Sequence, residues 1–524
     1  MSNRNKARVA AAVEIGSSVV RMHISQWDGR NVVLLDQLDK PTNMGREVFS
    51  SGYISFDTMR SLSAALDGFC AVAREYGVTR VHASATTALR EAANRAYILD
   101  HLATKNNMDV QVLDDIEANA LIFNSMNMNC SISGKEAKNI MMIYGGTGIT
   151  AFSLLRHGQT AFAYTIPTGL LKMSEMLLEA ADYSMNTGFA AEEYLLSFLY
   201  NTGRMDDMLT AEGIVFGAAD MQPLFELCRV HGELEDNNMA MIRSNVLIDI
   251  YESYSRLSVD QISAKHKLSA SRGGVLYAAL SLLALLVKMT NVEKVYCTQV
   301  NMVDVTLDLI LRPKARQTYE KSLRAGVIAS ALDIAARYGC DTKHSLYISK
   351  LALTLFKELS DLHGHSQRQS MLLYTACILH DVGSHTYTIN ATEASYALVK
   401  DAQIHGLKSH ETLLAANIIS PQSLLGITTS AWREAALKED ELLFVGKMHA
   451  ILHLSNALDY SRRQKAELVG VRHDENSLVI HLKIREDYTL EQWVLRQSAS
   501  IFQDVFGIAL QLRIENHSMG GGPV

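Results

Sequence analysis

The chain has 524 residues, 48% hydrophobic and 20% charged, with 49 basic against 56 acidic side chains and a net charge of −7. That length exceeds one core and predicts roughly three or four domains, while only 6 prolines and ample apolar material exclude extended disorder. The acidic total argues against specific nucleic-acid binding, though it leaves room for a local basic groove that takes a polyanion.

Cys70, Cys130, Cys228, Cys297, Cys340 and Cys377 are scattered without a C-x-x-C pair. Met1 to Arg8 is polar and basic rather than a secretory leader, so reduced thiols in a cytoplasm are expected. In chain order, Val9 to Val33 alternates as a hairpin, Ser55 to Tyr76 has helical spacing, and Thr79 to Ala85 is a short strand. Leu89 to Lys105 is helical again, Val110 to Leu113 is a strand, and Glu117 to Met126 is a helix. A second unit opens near Lys138 with the strand Ile140 to Ile143, the turn Tyr144 to Gly148 and a strand through Leu155. Gly274 to Lys288 has the length of a buried helix, so no membrane span is expected. From Tyr319 to Ala457 the texture is nearly continuous helix, and the tail returns to strand (477–482), helix (490–506) and strand (509–514) before a Gly-Gly-Gly end.

The opening stretch Val13-Glu14-Ile15-Gly16-Ser17-Ser18 delivers a carboxylate to a strand end and then turns. Gly16 frees the backbone so that amides and the Ser17 and Ser18 hydroxyls can face an anion, with Arg21 following on the next strand. Gly-Ser-Ser is also ordinary hairpin chemistry. The Gly145-Gly146-Thr147-Gly148 turn repeats the arrangement, as expected for a duplicated fold with a ligand cleft between its halves. In the helical region, His344, His380-Asp381 and Asp459 are three stations that suit a divalent metal gripped from several helices. A buried hydrogen-bonded pair at a helix end is the other reading of His380-Asp381.

Taken in order, Val13 to Ser18, Ala85-Thr86-Thr87-Ala88-Leu89-Arg90-Glu91-Ala92, Asp115-Ile116-Glu117-Ala118, Tyr144-Gly145-Gly146-Thr147, Pro167-Thr168-Gly169 and the His-Asp domain resemble the exopolyphosphatase/guanosine pentaphosphate phosphatase (Ppx/GppA) family. The resemblance implies α/β plus α architecture: two actin-like (ribonuclease-H-like) α/β domains (1–136 and 137–314), a helical HD-type domain (315–464) and a small α+β C-terminal domain (465–524). It implies hydrolysis of a terminal phosphoanhydride in inorganic polyphosphate or pppGpp, with magnesium, in a cytoplasmic homodimer. Glu117 falls at the family's catalytic glutamate and Arg90 at a phosphate-binding arginine, although an acidic residue in a first helical turn also complements the helix dipole, and a surface ion pair also accounts for the arginine.

The chain departs from that pattern. Glu14 stands for an aspartate that faces the metal, Ser18 for an asparagine, and Ile143 for the acidic residue of the second loop. Gly217 to Met221 and Thr298 to Val305 replace two further turns, and Thr392 and Ala394 replace two histidine-segment positions, with His385 as a possible substitute. Two functions therefore compete: a hydrolase, and a relative that binds polyphosphate, a guanosine polyphosphate or a partner protein without turning it over. An actin-like ATPase or sugar kinase ranks third.

Overall fold

A computed structural model describes residues 8–129, 138–181, 187–201, 203–218, 222–236, 239–384, 390–420 and 437–516. Cys130, the stretch 219–221, His385 and the glycines at 520–522 lie outside those residues. The chain forms two compact units, Met1–Gly326 and Val327–Val524.

The first unit holds two sheets built on one plan. Strands β1 (Arg8–Ile15), β2 (Val19–Trp27), β3 (Val32–Pro41), β4 (His82–Ala85) and β5 (Val110–Val112) pair in the order β3-β2-β1-β4-β5. Strands β6 (Asn139–Gly145), β7 (Thr150–Arg156), β8 (Gln159–Ile166), β9 (Gly213–Ala218), β10 (Glu233–Asp236), β11 (Met239–Arg243) and β12 (Lys294–Gln299) pair as β10-β11-β12-β9-β6-β7-β8. In each sheet the opening strand is antiparallel to the second and parallel to the next strand on its other side, β4 in one and β9 in the other. The expected hairpin is thus a three-stranded meander in both halves, because the third strand, 32–41 or 159–166, also joins the ladder.

Alternation along the opening strands assigns their faces. Val13 and Ile15 enter the core under the 56–75 and 95–106 helices, while Ala10 and Ala12 face the Met302–Leu311 helix. Met141 and Ile143 enter the core around the Ala270–Thr290 helix, while Ile140, Met142 and Tyr144 face the Asp115–Asn129 helix. Each half therefore sends one helix under the other half's sheet: the 115–129 helix follows β5 but packs on β6, and the 302–311 helix follows β12 but packs on β1. That exchange brings the start of the 115–129 helix to the cleft.

The expected helix 89–105 is broken into Thr87–Glu91 and Arg95–Asn106. Ala92 turns extended and the Asn94 amide bonds the backbone of Ile54 on both sides, at 3.2 and 2.8 Å, offering the chain an alternative to helical hydrogen bonds. Among the described residues, Ala270–Thr290 is the one helix long and apolar enough to cross a membrane. It is packed inside the second half, with residues 276 to 287 buried in sequence.

In the second unit the helices Thr342–Glu358, Gln367–Leu379, Ser409–Ile419 and Glu439–Ala457 share one apolar core with a small sheet, β13 (Ala466–His473), β14 (Ser477–Ile484) and β15 (Ala509–Asn516), and with the Thr489–Phe506 helix. Leu478, Ile480, Leu495 and Phe502 belong to the same cluster as Leu373, Ile378 and Met448, so the tail and the bundle bury one continuous core.

Candidate functional site

The two glycine turns close in the same way. Gly16 N–H donates to Val19 O at 3.1 Å, and Gly146 N–H donates to Ile149 O at 2.9 Å. The segment after each meander, leading into the Met44–Ser51 helix in one half and the Leu170–Ala181 helix in the other, then anchors the turn's carbonyls. Gly45 N–H reaches Ser17 O at 2.8 Å and Thr42 N–H reaches Ser18 O at 2.9 Å; in the second half Leu170 N–H reaches Gly146 O at 2.8 Å and Lys172 N–H reaches Thr147 O at 3.4 Å. A planar trans peptide holds its N–H opposite its C=O. The amides set opposite these anchored carbonyls are therefore those of Ser18 and Val19 in one turn, and of Thr147 and Gly148 in the other. The amides of Gly16 and Gly146, expected in the cradle, are spent on closing the turns. Gly169 presses on the second turn from behind: a Cβ there would lie 2.4 Å from the Thr147 carbonyl.

The cavity between the turns, about 850 Å³ including its open mouth, is lined by Glu14, Ser17, Ser18, Arg21, Gly16 and Thr86 to Thr87 from the first half, and by Tyr144 to Thr147 from the second. Arg90 and Asp115 complete its polar wall. Gly148 is not part of that lining. Its missing side chain permits the close approach of the two halves, since a Cβ would lie 2.6 Å from Thr87 Cγ2 and 3.2 Å from Phe49 Cζ.

Three further corrections concern the polar residues. The residue that matches Glu14 by turn register is Tyr144, because Glu14 and Tyr144 each stand two positions before the glycine that closes the turn. Ile143 is fully buried on the opposite face of β6. Glu117 does not line the cavity. The cleft face of the 115–129 helix is Asp115, Ala118, Asn119 and Ile122, spaced i, i+3, i+4 and i+7, and Glu117 lies off that stripe. Arg90 is clamped rather than extended: Nη1 donates to Leu113 O at 2.9 Å and Nη2 stands 2.5 Å from Asp115 Oδ1. Burial raises the Asp115 carboxyl above its ordinary value, against the pull of Arg90. Arg21 pairs with Asp39 at 3.0 Å as well as facing the cavity.

Among the described residues, three buried polar atoms on cavity-lining side chains have no hydrogen-bond partner: Ser17 Oγ, Asn119 Oδ1 and Arg90 Nη2, the last held only by its ion contact with Asp115. Asn119 escaped the sequence reading; its signal was only its helical spacing from Asp115. The carboxylates that line the cavity are Glu14 and Asp115, the second already holding Arg90, and Tyr144 occupies the position where the second turn would offer another. This donor set does not fit a magnesium ion held mainly by protein oxygens.

In the second unit, His344, His380 and Asp381 have potential ligand atoms within 4.8 Å of one another. His344 and Asp381 are engaged by their neighbours, while His380 keeps Nδ1 on Cys377 O at 2.9 Å and leaves its buried Nε2 without a hydrogen-bond partner. His344 Nδ1 meets Asp459 Oδ2 at 2.8 Å and its Nε2 meets Asn456 Oδ1 at 3.0 Å, Gln464 N–H donates to Asp459 Oδ1 at 2.6 Å, and Arg462 forms an ion pair with Asp381. Both nitrogens of His344 are engaged and a guanidinium already neutralises Asp381, so the set as it stands does not fit a resident metal. His380 is also kept from protonating by burial.

A family model for the Ppx/GppA phosphatase family matches residues 23–222, and one for Ppx/GppA phosphatase domain III matches residues 328–499. Among solved structures, an exopolyphosphatase from Cytophaga hutchinsonii aligns at 14% identity with a TM-score of 0.50, covering 58% of this chain and 97% of that one. The Ppx/GppA family member from Aquifex aeolicus aligns at 15% identity and a TM-score of 0.47, covering 57% and 96%. No curated protein matches the sequence. With one family match in each compact unit, and two halves of equivalent topology facing a common cleft, the chain belongs to the Ppx/GppA phosphatase family.

Proposed function

We propose that the cleft takes the end of a polyphosphate chain, inorganic or carried by guanosine as in pppGpp, and hydrolyses its terminal phosphoanhydride. The observation that carries this reading is the pair of equivalent turns, each with its carbonyls anchored behind it, lining one cavity with Arg90 and with the unpartnered hydroxyl of Ser17 in the first turn. Anchored backbone amides and a guanidinium stabilise an anion without reorganisation. In the reaction the water oxygen attacks the terminal phosphorus, the bridging P–O bond breaks with its electron pair going to the departing chain, and the water proton passes to a carboxylate. Asp115 is the carboxylate on the cleft face of its helix, and its raised pKa favours accepting that proton. Glu117 is the second candidate, from the adjoining face.

A second reading, binding without turnover, is favoured by Tyr144 standing where Glu14 stands in the first half. The helical domain enters either reading as an HD-type fold whose centre is a hydrogen-bonded knot, and the protein as a cytoplasmic homodimer. The test is phosphate release from long-chain polyphosphate and from pppGpp, with and without magnesium, by wild type, Asp115→Asn and Glu117→Gln. Turnover lost in Asp115→Asn supports the hydrolase with Asp115 as base, and turnover lost only in Glu117→Gln moves the base to Glu117. No turnover alongside saturable binding selects the second reading.

A further inference from the structure

In each half, the residue two positions before the closing glycine starts a row of side chains that runs across the meander. In the first half the row is Glu14 on β1, Arg21 on β2 and Asp39 on β3, each directly opposite the next. In the second half the same row is Tyr144, Ala151 and Thr165. The meander forms there without a charge, so the charged row of the first half is not a requirement of the fold. Burying a guanidinium is costly unless its donors are taken. Val20, Met22 and Ile24 enter the core, which leaves Arg21 on the opposite face of β2 with His23, whose Nδ1 meets Asp304 Oδ1 of the 302–311 helix at 2.6 Å. Arg21 is 8% exposed and lines the cavity. Asp39 is not part of that lining and grips the guanidinium by one edge: Nε donates to Oδ1 at 3.0 Å and Nη2 to Oδ2 at 3.4 Å, while Gln37 Nε2 donates to Oδ2 at 3.2 Å. A two-point contact of this kind fixes the plane of the guanidinium as well as its place, and the end-on edge of Nη1 and Nη2 lies outside it.

We infer that Asp39 is a positioning residue: from outside the cavity it holds the Arg21 guanidinium in the orientation that meets a bound phosphate. This rests on the reading of the cleft as a phosphate site. Asp39 adds negative charge beside an anion site, so electrostatics alone predicts that neutralising it tightens phosphate binding, most of all at low salt. Positioning predicts the opposite sign, because without Asp39 the ligand itself has to order the guanidinium.

The experiment is calorimetric titration of the full-length protein with inorganic tripolyphosphate, on wild type, Asp39→Ala, Asp39→Asn, Arg21→Met and the double variant Arg21→Met/Asp39→Ala, each first shown to be folded by its unfolding transition. Asp39→Ala is expected to weaken binding about fivefold, the order of one side chain ordered by the ligand. Asp39→Asn, equally neutral but still offering Nε–H an acceptor, is expected to weaken it less, and it carries the same cycle where Asp39→Ala does not fold. In the Arg21→Met background Asp39→Ala should weaken nothing further, because Asp39 acts through Arg21. A merely structural role for Asp39 would cost the same factor with or without Arg21, and that result overturns the assignment. Unchanged or tighter binding in both Asp39→Ala and Asp39→Asn also overturns it, while wild-type binding keeps the cleft reading intact. Failure of wild type to bind tripolyphosphate overturns the cleft reading itself.

Discussion

Replacing Arg90 by methionine tests how far this clamped cation of the cleft is built into the fold. The Arg90 side chain is 16% exposed, donates from Nη1 to Leu113 O at 2.9 Å, and stands 2.5 Å from a carboxylate that is 33% exposed. A charged donor on a buried carbonyl contributes about 1.5 kcal/mol. The ion pair, screened by water on the Asp115 side, adds about 1 kcal/mol. Arg90→Met should therefore destabilise the first unit by about 2.5 kcal/mol, a fall of roughly 5 °C in its transition for a unit of this size. Asp115→Asn keeps an acceptor for the guanidinium and should cost about 1 kcal/mol. In the double variant the uncompensated carboxylate is gone, so the total should be about 2 kcal/mol rather than the roughly 3.5 of the sum, a coupling that double-mutant analysis reads directly. Thermal and urea unfolding of the full-length variants measures all three. Additive losses would refute the view that Arg90 and Asp115 act as one clamp.

Gly148→Val places a side chain against Thr87 and Phe49, so stability should fall by about 1–3 kcal/mol and phosphate affinity with it, read by unfolding and titration of the same variant. Burial raises the Asp115 carboxyl above its value of 3.8, so the stability it contributes is present below that pH and lost as pH rises through the folded pKa; the cost of Asp115→Asn should therefore shrink as pH rises above 3.8, read by urea unfolding at a series of pH values. His405 is buried and held down to about 4 from 6.5, so it folds neutral; its contribution is present above pH 6.5 and lost as pH falls towards 4, about 3 kcal/mol that His405→Gln should remove from the pH dependence of urea unfolding. Chelation by EDTA should leave unfolding of the second unit unchanged, because Arg462 already neutralises Asp381; a drop of several degrees contradicts that.

The duplicated half was legible because it is written in local terms: an apolar alternating run, a glycine turn, then another run, twice. The buried 270–290 helix was legible from continuous apolarity. What could not be read was phase relative to neighbours. Ile143 and Tyr144 are adjacent, and the pleat alone decides which enters the core and which faces the other half, a decision fixed by the sheet's register with β7 and β9. Glu117 and Asn119 are likewise two positions apart on one helix; which of them meets the cleft follows from how that helix packs beneath the second sheet, a long-range contact with no local signature. The His-Asp centre was legible as a set of residues, but its closure was not: Asn456 shares the Asp459 station without any local sign that it turns onto His344, and Gln464 and Arg462 come from beyond the motif.

The most direct measurement of the central claim, that the paired turns form an oligophosphate site, is calorimetric titration of tripolyphosphate into wild type and Arg90→Met. Saturable binding at one site per chain in wild type, weakened at least tenfold in the variant, is the expected result. Absence of binding to the folded wild type, or equal binding by both proteins, would contradict it.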